Sequence, residues 1–204
     1  MAKVVILGAG IAGHTAARYL DKWLGKSHEI IVISPNAKWN WVPSNIWVGV
    51  GQMKEEDVTF DLATIYKKTN VTFKQAKALA IHPEGDANNV QGFVSVEYTL
   101  PGQEGTKENV AFDYLINATG PKLNFGATPG LGPEHGHTVS VCTAQHALEA
   151  NQKLQAVIDR MKAGEKCNLV VGTGHGMCTC QGAAFEYIYN IDHTLREEIG
   201  RAHV

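Results

Sequence analysis

The chain is 204 residues long, 44% hydrophobic and 19% charged, with 18 basic residues against 20 acidic ones and a formal net charge of -2. That length holds one large domain or two small ones with a well-filled core, and a balanced charge without a basic block argues against a nucleic-acid-binding surface. No apolar run reaches the ~18 residues of a membrane span, and Met-Ala-Lys leads straight into a strand pattern without the apolar segment of a secretory signal. Glycine is in excess, at 21 of 204 residues, against a usual ~7%.

The run Lys3-Val-Val-Ile-Leu7 stops at Gly8-Ala-Gly10-Ile-Ala-Gly13. Ala16, Ala17, Leu20 and Leu24 then fall at helical spacing, and Glu29-Ile-Ile-Val-Ile33 is a second β-branched run ended by Ser34-Pro35-Asn36. Strand, glycine turn, helix and strand within ~30 residues predict a βαβ unit with a right-handed crossover and parallel pairing. Residues 39–51 carry Trp39, Trp41, Pro43, Trp47 and two glycines without either periodicity, which predicts a functional loop running into a short helix. Residues 61–68 predict a short helix and Val71-Thr-Phe73 a strand. Residues 78–112 read as antiparallel β with a hairpin turn at Leu100-Pro-Gly-Gln-Glu-Gly105, and Tyr114-Leu-Ile-Asn-Ala118 as a further strand.

Glycine, proline and histidine crowd residues 122–136, which marks a domain crossing. Thr143 is a suitable N-cap for a helix with Ala147, Leu148, Leu154, Val157, Ile158 and Met161 on its apolar face, closed by Gly164. Asn168-Leu-Val-Val171 predicts a strand opening into Gly172-Thr-Gly174-His-Gly176, and residues 181–199 predict a last helix.

The first glycine loop suits a pyrophosphate. Gly8 permits the tight turn, Gly10 lets the backbone approach the phosphates, and Gly13 lets helix and strand pack closely. The helix start at Ile11 and Ala12 turns free N–H groups and a positive dipole end toward the anion. The second strand of such a unit normally ends in an acid that binds ribose hydroxyls. Ser34 stands there, with Pro35 and Asn36 following, a neutral set that can bond a ribose without discriminating by charge, or that is simply a turn.

The second loop lacks that spacing and runs into Met177-Cys178-Thr179-Cys180. A cysteine at a strand-to-helix turn is chemically suggestive, because a helix start favours the nucleophilic thiolate. Cys178 is either its partner or filler. The cysteines make no CxxC pair and no zinc pattern, so no metal site is expected, and a disulfide framework is not expected either. Cys167 reads as a core residue, and Cys142, before a helix N-cap, could be either. His135 and His137 are only two ligands, His175 could tune a thiol, and His14 reads as a solvated helix residue.

Taken together, the N-terminal Val-Val-Ile-Leu-Gly-Ala-Gly-Ile-Ala-Gly, Val42-Pro-Ser-Asn-Ile-Trp-Val-Gly-Val-Gly51, Asn117-Ala-Thr-Gly-Pro-Lys122, Val141-Cys-Thr-Ala-Gln-His-Ala-Leu-Glu149 and Cys180-Gln-Gly-Ala-Ala-Phe-Glu-Tyr187 resemble the sulfide:quinone oxidoreductases. These are FAD-dependent flavoproteins of the two-dinucleotide-binding-domain class. The resemblance implies an α/β fold. A Rossmann-like FAD-binding domain, a parallel sheet plus an antiparallel β segment, would occupy residues 1–121, with a linker and crossing helix over 122–164. Residues 165–204 would be the first strand-loop-helix of a truncated second Rossmann-like domain.

It also implies where FAD lies. Its pyrophosphate would sit on Gly8, Gly10, Ile11, Ala12 and Gly13, its adenosine ribose by Ser34, Pro35 and Asn36, and its adenine near Ala78. The isoalloxazine would lie near Val42, Pro43, Ser44 and Asn45, with Ala118, Thr119, Gly120 and Pro121 against the cofactor. A serine at the ribose position is usual in this family.

Cys180 matches the family cysteine that carries sulfur beside the flavin, and Cys142 a second redox cysteine. Cys178 is extra and would compete as sulfur carrier. In the family, sulfide attacks a sulfur-bridged cysteine pair, two electrons pass through FAD to a membrane quinone, and zero-valent sulfur accumulates as polysulfide.

Family members are longer. A third redox cysteine, a second FAD-contacting segment, the quinone pocket and an amphipathic membrane anchor belong to a C-terminal half beyond these residues. The expectation is an enzyme made in the cytoplasm and bound peripherally to the cytoplasmic membrane through that half, with sulfide and quinone as partners, no nucleic acid, and a homo-oligomer left open. The alternatives are the flavoprotein subunit of a flavocytochrome c sulfide dehydrogenase and a non-catalytic nucleotide-binding chain.

Overall fold

The computed structural model describes residues 1–135, 137–177 and 180–200; Cys178 lies outside them. The chain divides into two units, Met1–Trp39 with Phe60–Lys122, and Asn40–Thr59 with Leu123–Val204.

In the first unit, β1 (Lys3–Leu7), α1 (Ile11–Leu24) and β2 (Glu29–Ser34) form the expected βαβ unit, with Lys3 opposite Glu29 through to Leu7 opposite Ile33 in parallel register. The chain leaves along β3 (Lys38–Asn40), runs through the short helices α2 (Asn45–Gly49) and α3 (Glu55–Val58), and returns along β4 (Thr59–Asp61), which pairs with β3. Then follow α4 (Leu62–Tyr66), β5 (Val71–His82), β6 (Phe93–Tyr98), β7 (Lys107–Ala111) and β8 (Tyr114–Asn117). The main sheet has the order β7-β6-β5-β2-β1-β8.

The alternation of β1 and β2 explains their continuous apolar character. Val4, Ile6, Ile30 and Val32 face a core shared with Ala17 of α1 and with Leu62 and Tyr66 of α4. Val5, Leu7, Ile31 and Ile33 face a second core shared with Ala76, Val94, Val96 and Val110 of the antiparallel strands. A strand covered on both faces has no polar side to show.

The two strands expected around residue 71 and after residue 78 are a single element. The first part of β5 pairs in parallel with β2, from Val71 opposite Ile30 to Gln75 opposite Ser34, and its second part pairs antiparallel with β6, from Ala76 opposite Tyr98. No glycine or proline interrupts residues 71–82, so only the partner changes. Four strands, β5, β2, β1 and β8, are therefore parallel, and β6 and β7 continue the sheet as an antiparallel meander. This is the Rossmann-like arrangement with an antiparallel β segment.

The second unit is helical. Thr143 caps α5 (Ala144–Lys162) as expected, its hydroxyl accepting from the His146 N–H at 3.1 Å. The last helix, α6 (Gln181–Ile199), has the bounds its periodicity predicts. Leu154 and Ile158 of α5 pack with Ile191 and Leu195 of α6 and with Val50. Residues 168–171, expected as a strand, pair with no strand among the described residues. Leu169 and Val171 pack inward against the helical core, but Val170 between them is 95% exposed. The period-two pattern is strand-like, yet a strand also needs a neighbour to take its N–H and C=O groups.

Candidate functional site

The first glycine loop divides sharply by what surrounds each glycine. A Cβ on Gly8 would lie 2.3 Å from the Ala118 carbonyl oxygen, and its φ of 92° already belongs to glycine. A Cβ on Gly13 would lie 2.0 Å from the Gly8 carbonyl oxygen. The Gly8 N–H donates to the Ile33 carbonyl and the Ala118 N–H to the Leu7 carbonyl, each at 2.8 Å, so three chain segments meet backbone to backbone. Gly10 is the opposite case, with no described atom within 4 Å of the place a Cβ would take.

Gly10, Ile11 and Ala12 are exposed at the start of α1, and no described side chain caps it. A helix leaves its first N–H groups without intrahelical partners, and here they open onto the space above Gly10. Gly120 has the same open surroundings. The chemistry of this cradle, uncapped N–H donors at a positive helix end with room for a ligand, fits a pyrophosphate.

At the end of β2, Ser34 is buried, and its hydroxyl accepts from the Asn36 N–H at 3.3 Å, while Pro35 and Asn36 are exposed. Thr119 is tied to Asn117, whose side-chain oxygen accepts from the Thr119 hydroxyl at 2.9 Å, and Pro121 is exposed. Ala78 lies opposite Val96 in the antiparallel ladder, packed against the second core.

His14 is half-buried rather than solvated, with aromatic side chains from elsewhere in the unit packed against it. Its Nδ1 lies 2.9 Å from the Tyr66 hydroxyl, and its ring meets Phe60 at 5.4 Å and Trp39 at 6.2 Å between centroids. Burial, then the charge of Arg18, holds the His14 pKa below its usual value. Burial pushes Tyr66 up to about 12.

In the second unit, Val42 and Pro43 are exposed, and Ser44 turns the chain through its N–H to the Trp41 carbonyl at 3.1 Å. Asn45 is fully buried, and its amide is engaged by Asn40 in both directions, at 2.9 and 3.0 Å. Asn40 also donates to the Val58 carbonyl at 3.2 Å. Asn45 thus fixes the loop from inside while Val42 and Pro43 face outward.

The segments carrying the two described candidate cysteines meet the same helix. The Tyr187 hydroxyl of α6 donates to the Gly49 carbonyl of α2 at 3.2 Å, and a Cβ on Gly49 would lie 2.9 Å from Val141, next to Cys142. Burial pushes Tyr187 up to about 12. Cys142 is exposed, its N–H donating to the Ser140 hydroxyl at 3.0 Å. Cys180 is exposed at the N-cap of α6, and Cys167 is half-buried.

His175 accepts from the Met177 N–H at 3.1 Å. Gly172, Thr173, Phe185 and Tyr189 border an apolar cavity of about 460 Å³ beside the start of α6. Sequence reasoning passed over Asn40, Gly49 and Tyr187, whose partners are known only once the helices pack. Among the described residues no three His, Cys, Asp or Glu side chains cluster as metal ligands, and no helix is long and apolar enough to cross a membrane.

A family model described as pyridine nucleotide-disulphide oxidoreductase matches residues 2–187. The sulfide-quinone reductase of Aquifex aeolicus is 35% identical over 198 residues, which is 97% of this chain and 40% of that protein. The mitochondrial sulfide:quinone oxidoreductase of Dictyostelium discoideum is 24% identical over 195 residues, 96% of this chain and 39% of its own length. The X-ray structure of the sulfide:quinone oxidoreductase from Aquifex aeolicus matches with a TM-score of 0.73 at 29% identity, covering 98% of this chain and 41% of that one. The resemblance carried by the sequence motifs is borne out. The chain spans about 40% of the length of these relatives.

Proposed function

The chain belongs to the pyridine nucleotide-disulphide oxidoreductase family, and from that premise we propose that it carries the dinucleotide and cysteine machinery of a flavin-dependent sulfide:quinone oxidoreductase. The observation that carries the reading is the Gly8–Gly10–Gly13 loop, closed by its own backbone at Gly8 and Gly13 and open at Gly10, where an uncapped helix start faces outward. The cofactor proposed is FAD, which supplies a two-electron acceptor when bound.

In this reading the start of α1 holds the pyrophosphate through its N–H groups, and Ser34, Pro35 and Asn36 receive the adenosine ribose. Ala78 lies toward the adenine, and Ala118, Thr119, Gly120 and Pro121 border the cofactor. Val42, Pro43 and Ser44, braced by Asn45, lie on the flavin-ring side. Cys180 carries the sulfur, with Cys142 as second redox cysteine and Cys178 as a competing carrier.

Hydrosulfide attacks a sulfur-bridged cysteine pair of the whole protein, forming one S–S bond as another breaks and leaving a thiolate. Re-forming a bridge between that thiolate and the persulfide gives up a proton and two electrons, which pass on to the quinone, so that overall HS⁻, H⁺ and quinone become zero-valent sulfur and quinol. Quinone and membrane partners are proposed for the whole protein, peripheral to the cytoplasmic membrane.

The test is gel filtration after reconstitution with FAD, followed by anaerobic addition of sulfide. The expected result is retained flavin absorbance that sulfide bleaches, with bleaching lost in Cys180→Ala and reoxidation on adding a quinone analogue to the longer protein. A chain that retains no flavin, or a Cys180→Ala variant that bleaches like the original, overturns the reading. A second reading, nucleotide binding without turnover, is favoured by the unladdered residues 168–171 with Val170 bare. It predicts retained flavin that sulfide leaves unchanged.

A further inference from the structure

We propose that Thr99 is a positioning residue for the adenosine-ribose end of the dinucleotide site, acting through the carbonyl of Pro35. The inference rests on reading the Gly8–Gly13 loop as dinucleotide-binding.

The turn at Ser34, Pro35 and Asn36 is the neutral replacement for the acid that usually receives the ribose, so its geometry has to substitute for charge. Its own means of holding shape are few. Proline contributes no N–H, and the Asn36 N–H is directed back to the Ser34 hydroxyl.

The remaining tether comes from 64 residues away: the Thr99 hydroxyl lies 2.8 Å from the Pro35 carbonyl oxygen and 3.3 Å from the Gln75 carbonyl oxygen. A hydroxyl has one proton to donate, and the shorter contact takes it, so Thr99 holds Pro35. Thr99 is itself fixed, because its N–H donates to the Gln75 carbonyl at 3.0 Å and its carbonyl accepts from the Gln75 side-chain amide at 3.3 Å. Gln75 in turn is the register partner of Ser34. Ser34, Gln75, Thr99 and Pro35 thus form a closed circuit from the end of β2 across β5 to the strand-end of the meander and back.

The test uses the 204-residue chain with ADP, which carries both the ribose and the two phosphates, and with inorganic pyrophosphate, which reaches only the helix start. Thr99→Val keeps the branched shape and removes the hydroxyl, while Thr99→Ser keeps the hydroxyl. Thr99→Val is expected to weaken ADP about fivefold, the effect of one net hydrogen bond, and to leave pyrophosphate unchanged, with Thr99→Ser restoring ADP binding. ADP binding unchanged in Thr99→Val, equal losses for ADP and pyrophosphate, or a Thr99→Ser as weak as Thr99→Val each overturn the inference while the dinucleotide reading stands. An original chain that binds neither ADP nor FAD overturns both.

Discussion

Replacing Gly13 by alanine tests whether the glycine loop is built by backbone contact. The new Cβ would stand 2.0 Å from the Gly8 carbonyl oxygen, and clearing even 3.0 Å requires 1.0 Å of movement. Neither atom belongs to a flexible side chain, so α1 as a body has to retreat from β1. Ala17 is fully buried on that face of α1, with Ala16 and Leu20 packed beside it against Val4, Ile6, Ile30 and Val32. A gap of 0.5–1 Å forfeits about a quarter to a half of each dispersion contact, and overpacking of this kind costs about 3 kcal/mol. Alanine's advantage over glycine inside a helix returns about 1 kcal/mol, which leaves a net loss of about 2 kcal/mol, or roughly 4–8 °C in melting temperature for a chain of this size.

Gly10→Ala is the control, because no described atom lies within 4 Å of its Cβ. It should cost no more than about 0.5–1 kcal/mol at the N-cap yet weaken ADP at least about tenfold, since the methyl group occupies the approach to the helix N–H groups. Urea denaturation and calorimetric titration of both variants measure the two effects. The reasoning fails if Gly13→Ala unfolds with the original chain, or if Gly10→Ala binds ADP undiminished.

Three further substitutions probe buried and half-buried polar groups elsewhere in the chain. Lys74 Nζ lies 3.0 and 2.9 Å from the two carboxylate oxygens of Glu108 and 3.1 Å from the Tyr98 hydroxyl. Burial alone would lower Lys74, but the bonds to Glu108 and Tyr98 prevail and hold it above its usual 10.5; burial likewise works against the Glu108 carboxylate, and Tyr98 and Lys74 hold it below 4.5. Lys74→Met should cost about 1–2 kcal/mol in urea at neutral pH, a difference that fades as pH falls below 4.5 through the folded Glu108 pKa or rises above 10.5 through that of Lys74.

The depressed pKa of His14 means that the unfolded chain takes up its proton first as pH falls below 6.5. Melting scans across that value should show the original chain losing stability on the acid side, and His14→Phe with a flatter profile. Asn45→Ala leaves the half-buried Asn40 side-chain oxygen without its partner, with an expected loss of about 2 kcal/mol and faster amide exchange over residues 40–45.

What the sequence discloses depends on how local the cause is. β1, α1 and β2 are legible because burial on both faces makes each strand a continuous run, and because Gly13 packs on the Gly8 carbonyl across a single turn. Thr143 is legible as a cap because its bond is to His146, three residues on. The unity of β5 is not legible, since its two halves differ only in which strand lies beside them. Nor is the half-burial of His14, which depends on Trp39, Phe60 and Tyr66 brought in from other elements. The Thr99 tether to Pro35, 64 residues apart in sequence, has no local signal at all.

The same distinction separates the two glycine-rich loops. In the first, Gly8 and Gly13 are demanded by backbone atoms at 2.3 and 2.0 Å, and the space at Gly10 is what remains for a ligand. In the second, no described atom lies within 4 Å of a Cβ on Gly172 or Gly176, and only Gly174 is pressed, by the side chain of Leu131 at 2.9 Å. Its glycines therefore do not close a cradle in the way the first loop does. The chemistry that distinguishes the second loop lies in its outlet, an exposed cysteine at the start of a helix beside an apolar cavity of about 460 Å³. A phosphate has little to gain from apolar walls, whereas a sulfur carrier needs a reachable thiol and tolerates apolar surroundings. Under the proposed function the two loops would divide the labour accordingly, the first holding a cofactor anion and the second presenting Cys180.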